Sequence, residues 1–318
     1  MIGYIIKRML YIIPVCLGVT AVCFALMYLA PGDPAQALLP PDATPEDAAY
    51  LLRLYGFDQP VWVQYGRWVL RAASGDLGVS LQSQRPVFRE VMSALGNTAV
   101  LSAGAVLLAF VLAFILGTVA AYNIGSRIDQ ASTTLSITGV SVPNYWLGIV
   151  LVIVFAVELG WLPAAGMGSA GSDSFSLTDW AQLRYAILPI ITMSVLPLGI
   201  IMRSVRASVA EALGQESIQL LRAKGLPPYA ILTHAVKNAF PQILAVMGLQ
   251  FGFLVGGSIL VETIFNWPGT GFLLGKAILT RDVPLLQGTI LVLSISFVII
   301  NLVVDVLQSI FDPRVRRT

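Results

Sequence analysis

VMSALGNTAVLSAGAVLLAFVLAFILGTVAAYNIGS, residues 91–126, runs for 36 residues without a charged side chain. A helix needs about 20 apolar residues to cross the hydrocarbon core of a bilayer. This stretch is therefore long enough for one span whose ends lie outside the lipid. Five further charge-free runs approach or exceed that length, at residues 9–32, 130–157, 185–202, 238–261 and 283–304. The run 185–202 is the shortest, and its span is expected to reach the charged turn at Arg203.

Composition agrees. Of the 318 residues, 57% are hydrophobic and 11% charged, against about 25% charged in an average soluble domain. An ordinary water-soluble globule is excluded. Backbone polar groups in lipid must be satisfied within the segment, so apolar spans of this length are helices. The expectation is an all-α membrane protein of six transmembrane helices. The first run follows Lys7 and Arg8, but it is too long for a cleavable leader and enters Pro31-Gly32-Asp33-Pro34 without a small-residue cleavage pattern. It reads as a retained span. Cys16 and Cys23 lie in it, seven residues apart on one helical face, and read as small apolar packing residues. A net charge of +2 says little about partners.

Short-flank Lys and Arg set orientation. With the N-terminus inside, eleven of the nineteen fall on the inner side, including Lys7, Arg8, Arg127, Arg203, Arg206, Arg222, Lys224, Lys237 and the C-terminal Arg314, Arg316 and Arg317. Both termini are then cytosolic. The chain divides into an N-terminal segment with the first span (1–32), a long external segment (33–90) and a five-helix core (91–318) with a cytosolic loop at about 203–237. In the external segment, Thr44-Pro45-Glu46-Asp47 has the form of a helix start, followed by Leu51, Leu52 and Tyr55 at helical spacing. A second short helix is expected to carry Trp62, Tyr65, Trp68 and Val69 on one face. That face suits either the membrane interface or a small external core. The segment 158–184 is external and rich in Gly and Ser.

The cytosolic loop holds a helix over 216–224, with Glu216 at its start and Arg222 and Lys224 at its end, as the helix dipole prefers. Gly225 suits a left-handed C-terminal cap, and Pro227 and Pro228 follow. A new helix starts near Tyr229. Ile218, Leu221 and Leu226 would be available to dock in a groove on a soluble partner. From spacing alone, a plain surface loop is the alternative.

Sites for chemistry are missing. His234 is the single histidine, so there is no histidine pair for a metal, and no G-x-S-x-G elbow is present. Thr270 to Ala277 superficially matches a phosphate-binding loop, but Thr270 stands where the first glycine is needed and Ala277 where the hydroxyl is needed. No catalytic or metal residue is assigned. Glu158, Glu262 and Asp305 lie at span ends and read as solvated or capping residues rather than relays. That argues against an ion-coupled secondary transporter, the main alternative, and no inverted repeat is visible. A passive membrane scaffold is a third class. Asn97 and Thr98 at the start of the second span, and Ser141, Asn144 and Trp146 in the third, are candidates for lining a translocation path, with helix packing as the alternative.

Gln219-Leu220-Leu221-Arg222-Ala223-Lys224-Gly225 occupies the place of the E-A-A-x-x-x-G loop of binding-protein-dependent ABC importer permeases. It is most similar to the R-A-K-G-L form of the dipeptide, oligopeptide and nickel permease family, and departs from the E-A-A letters at Gln219-Leu220-Leu221. Other stretches resembling that family run from end to end in order. They include Ala30-Pro31-Gly32-Asp33-Pro34, Gly56-Phe57-Asp58-Gln59-Pro60, Gly75-Asp76-Leu77-Gly78, Ser141-Val142-Pro143-Asn144-Tyr145-Trp146, Val261-Glu262-Thr263 with Trp267-Pro268-Gly269, and Phe311-Asp312-Pro313-Arg314. The chain resembles the first of the two permease chains in that family. The resemblance implies a type I ABC importer permease fold in the cytoplasmic (inner) membrane and a second homologous permease subunit. It also implies two ATPase subunits that bind ATP and Mg, an external solute-binding protein, and no cofactor in this chain. It assigns ATPase coupling to Glu216 and to Gln219 through Gly225. Peptides are the leading cargo; nickel chelates and glutathione are alternatives.

Overall fold

A computed structural model describes residues 2–29, 58–168 and 178–311, together with Thr44, Glu46, Ala49, Arg53 and Phe175. Most of the expected first helix of the external segment, including Pro45, Asp47, Leu51, Leu52 and Tyr55, lies outside the described residues. Among those described there is no β-strand, only a single bridge between Val79 and Pro86.

The fold is all-α. Helix α1 (Ile2–Leu29) carries the apolar stretch Ile13–Ala25. Helix α2 (Val61–Ala73) follows, then α3 (Val87–Tyr122) and α4 (Arg127–Ser141). Helix α5 (Asn144–Leu151) continues into a π-helical segment, Val152–Glu158. After it come α6 (Trp180–Gly214), α7 (Glu216–Ala223), α8 (Pro228–Gly257), α9 (Ile259–Ile264), α10 (Thr270–Thr280) and α11 (Val283–Phe311). Four of these, α3, α6, α8 and α11, are each long and apolar enough to cross a membrane.

The third charge-free run departs from a straight span. Its two helices meet at an angle of 95°. The cause is local: Pro143 has no N–H and disfavours helical backbone in the residue before it, and Val142 is extended at φ −79°, ψ 123°. The fourth run, by contrast, continues well past Arg203, and α6 absorbs both Pro189 and Pro197 without ending.

Close approaches fix how the rods run. Gly104 of α3 lies against Ile190 of α6, and Gly117 against Met202 and Val205, so α3 and α6 are parallel. Helix α4 is antiparallel to α6, because Ser136 meets Gly199 and Gly139 meets Val195. Gly248 and Gly252 of α8 face Val304 and Phe297, which makes α8 and α11 antiparallel. The two parallel rods are thus joined through one crossing in the opposite direction, supplied by the bent pair.

Two of the core clusters follow one another along α3 and α6. One contains Leu101, Leu188, Met193, Phe265 and Trp267. The other contains Ala113, Ile201, Met202, Val205 and Ile243. Outside them the surface is apolar, as a lipid-facing surface must be: Leu107, Ile115, Leu260 and Leu279 are among many large exposed hydrophobic residues. Helix α2 packs on α1 through Tyr65 and Trp68, whose rings lie 5.4 and 6.1 Å from that of Phe24. The four residues expected on one face therefore divide: Trp62 stays 75% exposed.

Candidate functional site

Helix α7 is separated from α6 by Gln215, whose extended backbone (φ −67°, ψ 147°) breaks the rod. Its C-terminus closes in a Schellman motif. The Gly225 N–H donates to the Arg222 carbonyl at 2.9 Å and the Leu226 N–H to the Leu221 carbonyl at 3.2 Å. That geometry requires a left-handed residue, and Gly225 supplies it at φ +76°. Leu221 and Leu226, the two positions whose hydrophobic contact commonly accompanies the motif, both pack against one buried cluster.

The apolar face of α7 packs on its own chain, which corrects the docking expectation for Ile218 and leaves Leu221 and Leu226 half-buried. Ile218 is 1% exposed and packs with Ala212 of α6 and Ile231 and Ala235 of α8, and Leu221 and Leu226 join the same cluster. These side chains seat α7 on its own chain. The face left outward holds Glu216, Gln219, Leu220, Arg222, Ala223 and Lys224. Leu220, 57% exposed, is its large apolar side chain, and Tyr229 on the first turn of α8 is 76% exposed nearby in sequence. Periodicity revealed an apolar stripe on α7. Which side of the helix met the rest of the chain depended on α8.

The five path candidates fall into two groups. Asn97 and Thr98 belong to a buried polar knot. The Asn97 side chain donates to the Pro268 carbonyl at 2.9 Å, and the Asn97 backbone carbonyl accepts from the Trp267 indole N–H at 3.1 Å. Thr98 is wholly buried, donates to Glu262 Oε1 at 2.7 Å and accepts from the Thr270 N–H at 2.8 Å. Both residues thus hold α9 and the start of α10 against α3. Ser141, Asn144 and Trp146 instead flank the bend at Pro143. Ser141 is exposed, with its hydroxyl donating back to the Ile137 carbonyl at 2.9 Å, and Trp146 is 54% exposed. Asn144 is half-buried, and its Oδ1 is enclosed without a hydrogen-bond partner among the described residues.

Glu262 is the centre of the knot, and the solvated half of its expected role is corrected. It is 0% exposed. Its Oε1 accepts from Thr98 and from Ser258 at 2.6 Å, and its Oε2 accepts from the N–H groups of Gly271 at 2.8 Å and Phe272 at 3.1 Å. It therefore caps α10 from a neighbouring helix, satisfying donors that a helix start leaves open. A signal was present in sequence: Ser258 lies one turn before Glu262, and the glycine pair Gly269 and Gly271 follows. The partner Thr98, 164 residues away, was not visible.

A second charged link went unread. The Arg206 guanidinium of α6 binds the Asp129 carboxylate of α4 through two hydrogen bonds, Nε to Oδ1 and Nη2 to Oδ2, the latter at 2.9 Å. Asp129 also accepts from the Gly125 N–H at 3.0 Å. In sequence Arg206 serves only as a flank cation that sets orientation, and Asp129 carries no signal of its own.

Residues 113–317 match the family described as the binding-protein-dependent transport system inner membrane component, and residues 1–102 match the N-terminal part of such components. The dipeptide transport system permease protein DppB of Alkalihalophilus pseudofirmus is 39% identical over 332 aligned residues, covering 99% of this chain and 100% of that protein. The glutathione transport system permease protein GsiC of Escherichia coli is 37% identical, and its counterpart in Salmonella paratyphi A also 37%, each covering 99% of both chains.

Proposed function

Because the chain belongs to the family of inner membrane components of binding-protein-dependent transport systems, we propose that it forms half of an ATP-driven import path for peptides or for glutathione. It is a multi-pass permease subunit of a peptide-type ABC importer. The cargo reading is supported by the names of relatives that match it from end to end. In this reading a second permease of similar fold completes the path. Two ATPase subunits bind ATP and Mg on the cytosolic side, and an external binding protein delivers the solute. Both termini are cytosolic, which places α7 there too.

The observation that carries the coupling role is α7 itself. It is seated from behind by Ile218 and Leu221 and capped by Gly225, and it turns Leu220 outward among charged groups. A rigid short helix with one exposed apolar anchor suits a groove on a soluble partner. The Asn144 amide and the exposed Trp146 at the bend are the path-lining candidates that this arrangement favours. Asn97 and Thr98 act behind them, by fixing α9. The secondary-transporter alternative loses support, because the enclosed carboxylate Glu262 has all its acceptor sites engaged by four donors.

Co-purification tests this reading. When the chain is co-expressed with its second permease and the ATPase pair, Leu220→Asp should retain the permease and lose most of the ATPase. Full ATPase recovery with Leu220→Asp would remove α7 from the interface.

A further inference from the structure

Helix α4 is joined to α6 at three successive levels. Nearest α7 in sequence is the two-bond Asp129–Arg206 pair. One level further, the Ser136 hydroxyl donates to the Gly199 carbonyl at 2.8 Å, and a Cβ on Gly199 would come within 2.5 Å of the Ser136 carbonyl oxygen. Beyond that, Gly139 lies against Val195. The two upper levels are packing without charge. At the lowest, each Arg206 hydrogen bond goes to Asp129. The pair lies where α6 passes toward Gly214, Gln215 and α7. At its far end α4 reaches the 95° bend, where Ser141, Asn144 and Trp146 are placed.

We propose that the Asp129–Arg206 pair is a clamp that makes α4 move as one body with α6, so that displacement of α7 is delivered to the bend at Pro143. This rests on the reading of α7 as the ATPase-docking element. Bidentate arginine–carboxylate geometry resists shear and rotation better than a point contact. It keeps the end of α4 registered to α6 while α7 is pushed. Arg206 and Asp129 are thus positioning residues: they touch neither cargo nor ATPase and act through α4. The third span thereby becomes a driven element, along with the two that flank α7.

Distances between spin labels in the assembled complex test this without knowledge of the cargo. In a background lacking Cys16 and Cys23, labels at Ser217 and Ser83 report movement of α7. Labels at Thr134 and Arg203 report α4 against α6. All four positions are exposed. Between nucleotide-free and ATP-bound wild-type complex, the 217–83 distance should shift and the 134–203 distance should not. In Arg206→Gln and in Asp129→Asn, which keeps an acceptor for the Gly125 N–H, the 217–83 shift should persist while the 134–203 distribution broadens or moves. Arg206→Lys, keeping the charge without the fork, should fall between. A 134–203 distance that holds steady in both neutral variants overturns the clamp, as does one that already changes in wild type. Loss of complex assembly in Arg206→Lys as well as Arg206→Gln would also overturn it, making the pair an element of folding. A wild-type complex in which 217–83 does not move defeats the reading of α7, and the clamp with it.

Discussion

Replacing Glu262 separates a structural anchor from a proton carrier. Glu262→Gln keeps the shape. The amide carbonyl can face the two fixed backbone donors, Gly271 and Phe272, and the NH₂ can face Thr98 and Ser258. Those hydroxyls are able to rotate and accept instead of donating. Every contact survives, but each loses its charge assistance. Hydrogen bonds to charged groups contribute roughly 1.5–3 kcal/mol and neutral ones about 1, and recovery of the carboxylate's desolvation cost offsets part of the loss. The net penalty should be about 1–2 kcal/mol. Glu262→Ala leaves two buried backbone donors orphaned, at about 1–3 kcal/mol each, together with a cavity beside Thr98 and Ser258. A loss of roughly 3–6 kcal/mol is a large share of the 5–15 kcal/mol that typically holds a domain. Thermal unfolding of the purified complex in detergent is the assay. Glu262→Gln should unfold a few degrees early and still transport; Glu262→Ala should yield little folded protein. Equal damage from both would refute the capping argument, and so would a well-folded Glu262→Gln that is inert in transport.

Gly225 offers a graded series, because a Cβ there meets nothing within 4 Å and the cost is backbone alone. Asparagine, tolerant of left-handed backbone, should behave almost as wild type, whereas Gly225→Val should cost roughly 1–2 kcal/mol, frayed locally at the end of α7. ATPase co-purification should fall in that order while pairing with the second permease holds; identical recovery across the series would contradict it. For orientation, single cysteines at Ser83 and Ser217 should react with an impermeant thiol reagent from opposite sides, Ser83 from outside and Ser217 only after the membrane is opened. Labelling of Ser217 in intact cells would reverse the proposed topology.

The charge-free runs carried most of the architecture, since lipid leaves few alternatives to a helix. They did not reveal the bend at Pro143, because hydropathy is blind to a backbone break that the proline itself announced. The end of α7 was legible in Lys224-Gly225-Leu226 because a Schellman motif is local: its donors, acceptors and left-handed glycine lie within six residues. The outward face of that same helix was not, because Ile218 is buried by Ile231 and Ala235 from the next helix. The partners of Glu262 and Arg206 were hidden for the same reason at greater range. Each is a charge at a span end whose meaning is set by a partner 164 or 77 residues away. Thr98 and Asn97 stand out in sequence as polar groups in an apolar run, but their partners, Glu262 and groups of the 267–270 turn, lie more than 160 residues away.

Uptake by the reconstituted complex tests the central claim most directly. Proteoliposomes holding this chain, its second permease and the ATPase pair, with binding protein outside and ATP inside, are given radiolabelled dialanine or glutathione while ion gradients are collapsed. Accumulation should require both ATP and the binding protein and should continue without any gradient. Accumulation by this chain alone, driven by a proton or sodium gradient and indifferent to ATP, would contradict the account.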